Sequence, residues 1–292
     1  MKEIQITTKS ALHWHKRKMP ANWDLNIYRG CSHRCAYCFA RYSHSYLEDD
    51  AFFENVYVKT NIIENLKREL SSKKWQREAV NIGGVTDVYQ KAEEKYKLVP
   101  QVIETLVRYK TPFYLITKSD LIQRDLDIII AASKIVDIIV GTSICTFNKT
   151  LSSKLEPGAT EPEKRLSFLR TLSQNNVHTT VLMMPGIPYI TDTSSNIEEI
   201  FRRCKHAHIE NIIPGLLNLK GNTKKIFLDF IRIEFPEYYK DIANLFKGSY
   251  LSRSYGERFR QTCMSLRKKY QFYNVYQEIP PPKIPAQLKL PF

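Results

Sequence analysis

The sequence has no apolar run of about 18 residues, so no segment is expected to cross a membrane as a helix. Its opening stretch, Met1-Lys-Glu-Ile-Gln-Ile-Thr-Thr-Lys-Ser10, lacks the apolar core of an export signal, and the expected location is the cytoplasm. Cysteine is scarce, six in 292 residues, which excludes a disulfide scaffold. No internal repeat stands out. Acidic residues are the minority charge, 30 against 44 basic, leaving a net charge of +14. An imbalance of that size favours a polyanionic partner, of which nucleic acid is the commonest.

The basic residues bunch. One group is His13-Trp-His-Lys-Arg-Lys18; another runs from Arg253 to Lys269, where Tyr255 and Phe259 interleave with Arg258 and Arg260. Aromatics between cations suit base stacking combined with phosphate contact.

Apolar, β-rich runs alternate with amphipathic helical runs, the pattern of βαβ units around a parallel sheet. Strands are expected at 25–28, 79–82, 113–116, 136–140, 177–183 and 209–214, and helices at 61–70, 95–109, 121–133, 161–174 and 194–205. Six such units are too few for a closed eight-stranded barrel, so an open partial barrel is expected. Clusters of Gly, Ser, Thr and Lys fall at the C-terminal ends of these strands, the edge where parallel α/β sheets bind ligands. Beyond Phe246 the pattern changes to a Gly248-Ser249 break, a cationic helix from about Tyr255, and the proline-rich run Glu278-Ile-Pro-Pro-Pro-Lys-Ile-Pro285, read as an extended tether. The expected organisation is a basic segment (1–22), a barrel (23–220), a helical basic extension (221–277), and a tether with a terminal peptide (278–292).

Cys31, Cys35 and Cys38 place three thiols within eight residues. Three thiolates can hold three irons of a four-iron cluster and leave one iron open to bind and break a substrate. A Cys₃His zinc site completed by His33 or His44 is the alternative, although no second Cys/His pair with finger spacing follows. Cys145, Cys204 and Cys263 stand singly, as small buried side chains usually do. Gly83-Gly84-Val85-Thr86-Asp87 follows an expected strand, and glycine there lets backbone groups approach a ligand closely.

These stretches together resemble the radical SAM superfamily, and in detail its spore photoproduct lyase-like (DNA repair photolyase-like) family. The resemblance covers roughly Trp23 to Asn218 and is carried by Asn26-Ile-Tyr-Arg-Gly-Cys-Ser-His-Arg-Cys-Ala-Tyr-Cys38, Gly84-Val-Thr-Asp-Val-Tyr-Gln90, Ile116-Thr-Lys-Ser119, Arg124-Asp-Leu-Asp127 and Leu155-Glu-Pro-Gly-Ala-Thr-Glu-Pro-Glu-Lys-Arg-Leu166. It implies an α/β fold, an open partial (βα)₆ barrel of radical SAM type with a helical, basic C-terminal extension. It also implies a lyase-type enzyme in which a 4Fe-4S cluster on Cys31, Cys35 and Cys38 cleaves S-adenosylmethionine reductively, so that hydrogen is abstracted from a substrate. Tyr37 matches the aromatic position before the third cysteine. Gly83 and Gly84 match the glycine-rich motif, Thr86 a hydroxyl near the cofactor, and Lys118 and Ser143 positions that hydrogen-bond the cofactor carboxylate. A reductase or flavodoxin-type protein is the implied electron donor.

The family's hydrogen-donating cysteine is replaced here by Gly84, which has no side-chain hydrogen to give. Cys145, also at a strand end, is the candidate substitute. The last residues, Gln287-Leu-Lys-Leu-Pro-Phe292, resemble the peptide that docks on the bacterial DNA sliding clamp, with Gln287, Leu288, Leu290 and Phe292 as contacts. The alternative for this tail is folding back on its own barrel. A DNA lesion or modified base is the favoured substrate. RNA, a peptide or a small metabolite is the alternative for the same chemistry, and a non-catalytic iron–sulfur or zinc nucleic-acid adaptor is the alternative to catalysis.

Overall fold

Six parallel strands lie side by side in the order in which the chain makes them: β1 (Trp23–Leu25), β2 (Val80–Ile82), β3 (Phe113–Ile116), β4 (Ile138–Ser143), β5 (His178–Gly186) and β6 (Asn211–Leu216). The computed structural model describes residues 1–16, 21–47 and 49–272. A short strand, Leu12–Trp14, runs antiparallel along the outer edge of β1. Among the described residues β6 and Leu12–Trp14 are the two edges of this sheet, as expected for an open (βα)₆ barrel.

Helices cover the sheet because their apolar stripes have nowhere else to go. Helix Leu98–Arg108 buries Leu98, Val99, Val102, Ile103 and Leu106, and these pack with Val80, Ile82, Phe113 and Leu115 in the main core. Each such side chain contributes about 1.5–3 kcal/mol through burial, so this interface, more than helix propensity, holds the helix.

Several expected boundaries moved for local reasons. The strand expected at 25–28 is divided. β1 stops at Leu25, the Asn26 side chain accepts the Val85 N–H at 3.0 Å, and Tyr28–Arg29 pairs antiparallel with Asn55–Lys59. Lys2–Ile6 pairs parallel with Asn55–Lys59 and completes a separate three-stranded sheet. The helix expected at 95–109 is two helices, Ala92–Tyr96 and Leu98–Arg108, because Lys97 takes a left-handed conformation (φ 47°). The Glu93 carboxylate accepts the N–H groups of Leu98 and Val99, both at 3.0 Å, and so restarts the second helix. The helix expected at 121–133 begins as a 3₁₀ turn, Asp120–Asp125, before Leu126–Ser133.

The C-terminal extension holds helices Thr223–Glu234 and Tyr239–Leu245, a hairpin of Phe246–Lys247 with Tyr250–Leu251, and helix Arg253–Tyr270. The expected Gly248-Ser249 break is the turn of that hairpin, with Gly248 at φ 73°. Phe227, Ile231, Ile242 and Phe246 of this region, with Leu217 and Leu219 just ahead of it, form a second apolar cluster with Cys145, Ile187 and Ile190 from strand-end loops of the barrel and Leu155 from helix Lys149–Leu155. Cys263 and Leu266 of the last helix instead join the main core. No described helix is long and apolar enough to cross a membrane. The tether and the terminal peptide lie outside the described residues.

Candidate active site

The cysteine loop leaves β1 and is anchored on both sides. The Gly30 carbonyl accepts the Thr86 hydroxyl at 2.5 Å and the Gln90 amide at 3.0 Å, and the Gln90 side-chain oxygen accepts the Ser32 N–H at 3.1 Å. From the other side, the Leu155 carbonyl accepts the Ala36 N–H and the His33 carbonyl accepts the Gly158 N–H, both at 2.9 Å. A Cβ on Gly158 would lie 2.3 Å from the Ser32 carbonyl oxygen, so only glycine allows this approach.

Cys31 and Cys35 are buried, Cys38 is half-buried, and all three are free thiols. Burial, Asp87 and Cys38 push the Cys31 thiol up to about 12. Burial also raises Cys35, which feels the charges of Glu156, Cys38 and Cys31, and burial raises Cys38. The thiols therefore sit close enough to disfavour one another's ionisation, a repulsion that bound iron would remove.

Lys118 follows β3. Its backbone N–H donates to Asp87 Oδ2 at 2.7 Å, and its ammonium stands 6.0 Å over the Tyr37 ring with no carboxylate in ion-pair contact among the described residues. Burial opposes its charge, but Cys35, Glu156 and Asp87 outweigh burial and keep it protonated. Ser143 ends β4 and is buried. The Ser143 carbonyl accepts Arg165 Nη1 at 2.6 Å.

Behind Tyr37 lies a buried brace. The Tyr37 phenol donates to Glu156, Glu156 pairs with Arg165, and Arg165 Nε donates to the Thr160 carbonyl at 2.5 Å. Arg165 is fully buried, and a buried ion pair is tolerated only when its remaining donors are satisfied, as they are here. Burial would raise the Glu156 carboxyl, but Arg165 and Lys118 hold it below the usual range. Asp87 is a second hub. It accepts the Thr117 hydroxyl at 2.6 Å and the Tyr89 N–H at 3.0 Å, and faces His33 Nδ1 at 3.4 Å. Nothing in the sequence marks Asp87, Gln90, Glu156 and Arg165 beyond their place in the stretches that carry the resemblance.

The other expected site residues divide. Thr86 lies at the site, but its hydroxyl is engaged by Gly30 and Gln90 and so holds the loop. Gly83 takes φ +88°, and a Cβ on Gly84 would lie 3.0 Å from the Asp24 carboxylate. Cys145 is 3% exposed within the second apolar cluster, with Tyr37 packed against the same cluster, and burial pushes its thiol up.

Neither candidate histidine completes a zinc site. His33 is turned to Asp87, and His44 is enclosed by Phe52 and Tyr57. Among the described residues no three His, Cys, Asp or Glu side chains form a set able to hold one metal ion. A four-iron cluster spreads its thiolates over separate irons and does not require such a set. The neighbouring thiols, the ammonium without a carboxylate in ion-pair contact among the described residues, and the buried Ser143 at the end of β4 fit a cluster carrying an amino acid-like ligand.

The family model described as the radical SAM superfamily matches residues 25–204. An uncharacterized protein of Mycobacterium tuberculosis is 32% identical over 283 residues, which is 95% of this chain and 83% of that protein. Among solved structures, spore photoproduct lyase complexed with dinucleoside spore photoproduct superposes with a TM-score of 0.69 at 12% identity, over 92% of this chain and 79% of that one. A variant of that enzyme with bound AdoMet and the dinucleoside spore photoproduct gives a TM-score of 0.68 at 12% identity, with the same coverage. At such identity the likeness is one of fold.

Proposed function

We propose, from the premise that this chain belongs to the radical SAM superfamily and works with a 4Fe-4S cluster and S-adenosylmethionine, that it is a lyase-type enzyme acting on DNA, with a lesion or modified base as the substrate. Bound at the cysteine loop, the two cofactors together supply hydrogen abstraction. Cys31, Cys35 and Cys38 are the cluster ligands in this reading. Lys118 holds the carboxylate of S-adenosylmethionine by a charge-assisted hydrogen bond, and the Ser143 hydroxyl supplies a second contact. Gly83 and Gly84 admit the ligand against the backbone, and Tyr37, braced by Glu156 and Arg165, walls the site. Thr86 acts through the loop it holds.

The observation that carries the cofactor assignment is the Lys118 ammonium, set over the Tyr37 ring near Cys35 and Cys38 with no carboxylate in ion-pair contact among the described residues. The choice of DNA is supported by the net charge of +14 and by a fold like that of spore photoproduct lyase. Gly84 cannot donate hydrogen, and the burial of Cys145 among apolar side chains supports packing for that thiol. A reductase or flavodoxin-type protein supplies the electron in this reading. Gln287, Leu288, Leu290 and Phe292 bring the enzyme to the sliding clamp, and removal of residues 286–292 should abolish clamp binding; retained binding would contradict that role.

The test is anaerobic reconstitution with S-adenosylmethionine and reductant, followed by product analysis on ultraviolet-irradiated, base-modified and undamaged oligonucleotides. DNA-dependent stimulation of deoxyadenosine release, with a changed nucleotide product, is expected. Stimulation by RNA, peptide or metabolite pools but not by DNA would reject the substrate assignment and leave the chemistry standing.

A further inference from the structure

Tyr189 stands three residues beyond the end of β5, on the strand-end rim that also carries the cysteine loop and Lys118. Its backbone is in the left-handed region, φ 65°, where glycine is at ease and a tyrosine is not. Two contacts fix the turn: the Tyr189 N–H donates to Asp192 Oδ1 at 2.8 Å, and the Tyr255 hydroxyl donates to Asp192 Oδ2 at 2.5 Å. The Tyr189 ring lies parallel to Tyr238, with centroids 5.9 Å apart and planes 9° apart, and meets Tyr255 edge-on at 6.5 Å. Even so, 41% of Tyr189 remains exposed, which a side chain kept only for packing would not need. Strained backbone beneath an exposed aromatic is a mark of a ligand-contacting position.

The surroundings indicate the ligand. Arg258 lies 5.3 Å from the Tyr255 ring centroid, and Arg253, the first residue of the same helix, is exposed. Neither is in an ion pair among the described residues, whereas neighbouring Arg260 is paired with Glu257 at 2.6 Å. Ile187 and Ile190, on either side of Tyr189, belong to the apolar cluster against which Tyr37 packs. Asn196 ties the same loop to the Cys145 carbonyl at 2.8 Å. The aromatic group is thus continuous with the wall of the cysteine site.

We infer that Tyr189, backed by Tyr238 and Tyr255, is a stacking platform for an unpaired nucleobase at the barrel rim, with Arg258 beside Tyr255 placed for a flanking phosphate. Flat aromatic faces with adjoining cations are the chemistry by which proteins hold unstacked bases. The inference deepens the nucleic-acid reading above and rests on it.

The test uses the full chain and fluorescence anisotropy with three probes. They are a short single-stranded oligodeoxynucleotide, the same strand with a central abasic site, and its ribonucleotide counterpart. Tyr189→Gly suits the left-handed backbone, so its melting temperature should hold or rise, while affinity for the intact strand falls about tenfold. The variant should also lose the preference for the intact over the abasic strand, and Tyr189→Phe should restore both. Wild-type DNA binding that Tyr189→Gly leaves unchanged would overturn the platform but not the DNA reading. A lower melting temperature in Tyr189→Gly with unaltered base preference would overturn it in favour of packing. No binding of wild type to either nucleic acid would overturn both. Tighter binding of the ribonucleotide strand with the same dependence on Tyr189 would uphold the platform and assign it to RNA.

Discussion

Lys118 lies near Glu156 and Asp87 but makes no ion-pair contact with a carboxylate among the described residues, and its proposed role in binding the cofactor carboxylate rests on that arrangement. Lys118→Ala should leave the cluster in place and weaken S-adenosylmethionine binding. A charge-assisted hydrogen bond of about 1.5–3 kcal/mol corresponds to a ten- to a hundredfold rise in Kd, readable by calorimetric titration of the reconstituted variant. An unchanged Kd would place the carboxylate elsewhere. At this scale the placement of the cysteine loop, Lys118 and Ser143 at the strand ends of one sheet was legible, because strand ends converge in a parallel sheet. Asp87, Glu156 and Arg165 were not. The Tyr37–Glu156 bond spans 119 positions, and no local pattern encodes a contact of that separation. Thr86 was legible as part of the site; that its hydroxyl turns to Gly30 was not.

The segment between helices Lys149–Leu155 and Pro162–Gln174 acts as an element in its own right, a brace laid along the cysteine loop. Gly158→Ala tests that view. The added methyl would meet backbone rather than a flexible side chain, so the loop or the brace has to shift. Iron retained after reconstitution should fall by at least half, while the far-ultraviolet circular dichroism of the barrel stays intact. Full iron content would show that the brace is dispensable. Most of the parallel strands were legible as short, mainly apolar runs ending in small or polar residues, as Phe113–Ile116 shows, whereas β1, Trp23–Leu25, shares only Leu25 with the strand expected at 25–28. The division of 95–109 was hidden because it depends on Glu93 reaching forward to cap Leu98 and Val99. The small sheet of Lys2–Ile6, Tyr28–Arg29 and Asn55–Lys59 was hidden because its strands are distant in sequence and one has two residues.

Across the whole molecule, the strand-end rim gathers the cysteine loop, the Lys118 ammonium and the aromatic group around Tyr189, and the C-terminal extension packs over part of it. The order of the motifs foreshadowed the barrel and its ligand edge. The packing of the extension against Cys145 and Leu155 was not foreshadowed, since its helices had no motif to mark them. The account stands or falls on whether the three thiols hold a cluster with one iron left for S-adenosylmethionine. The direct measurement is deoxyadenosine formed by anaerobically reconstituted, reduced protein, set beside Cys35→Ala prepared identically. The account predicts about four irons per chain and reductive release of deoxyadenosine by the wild type, with both lost in Cys35→Ala. Deoxyadenosine release that survives in Cys35→Ala would contradict it.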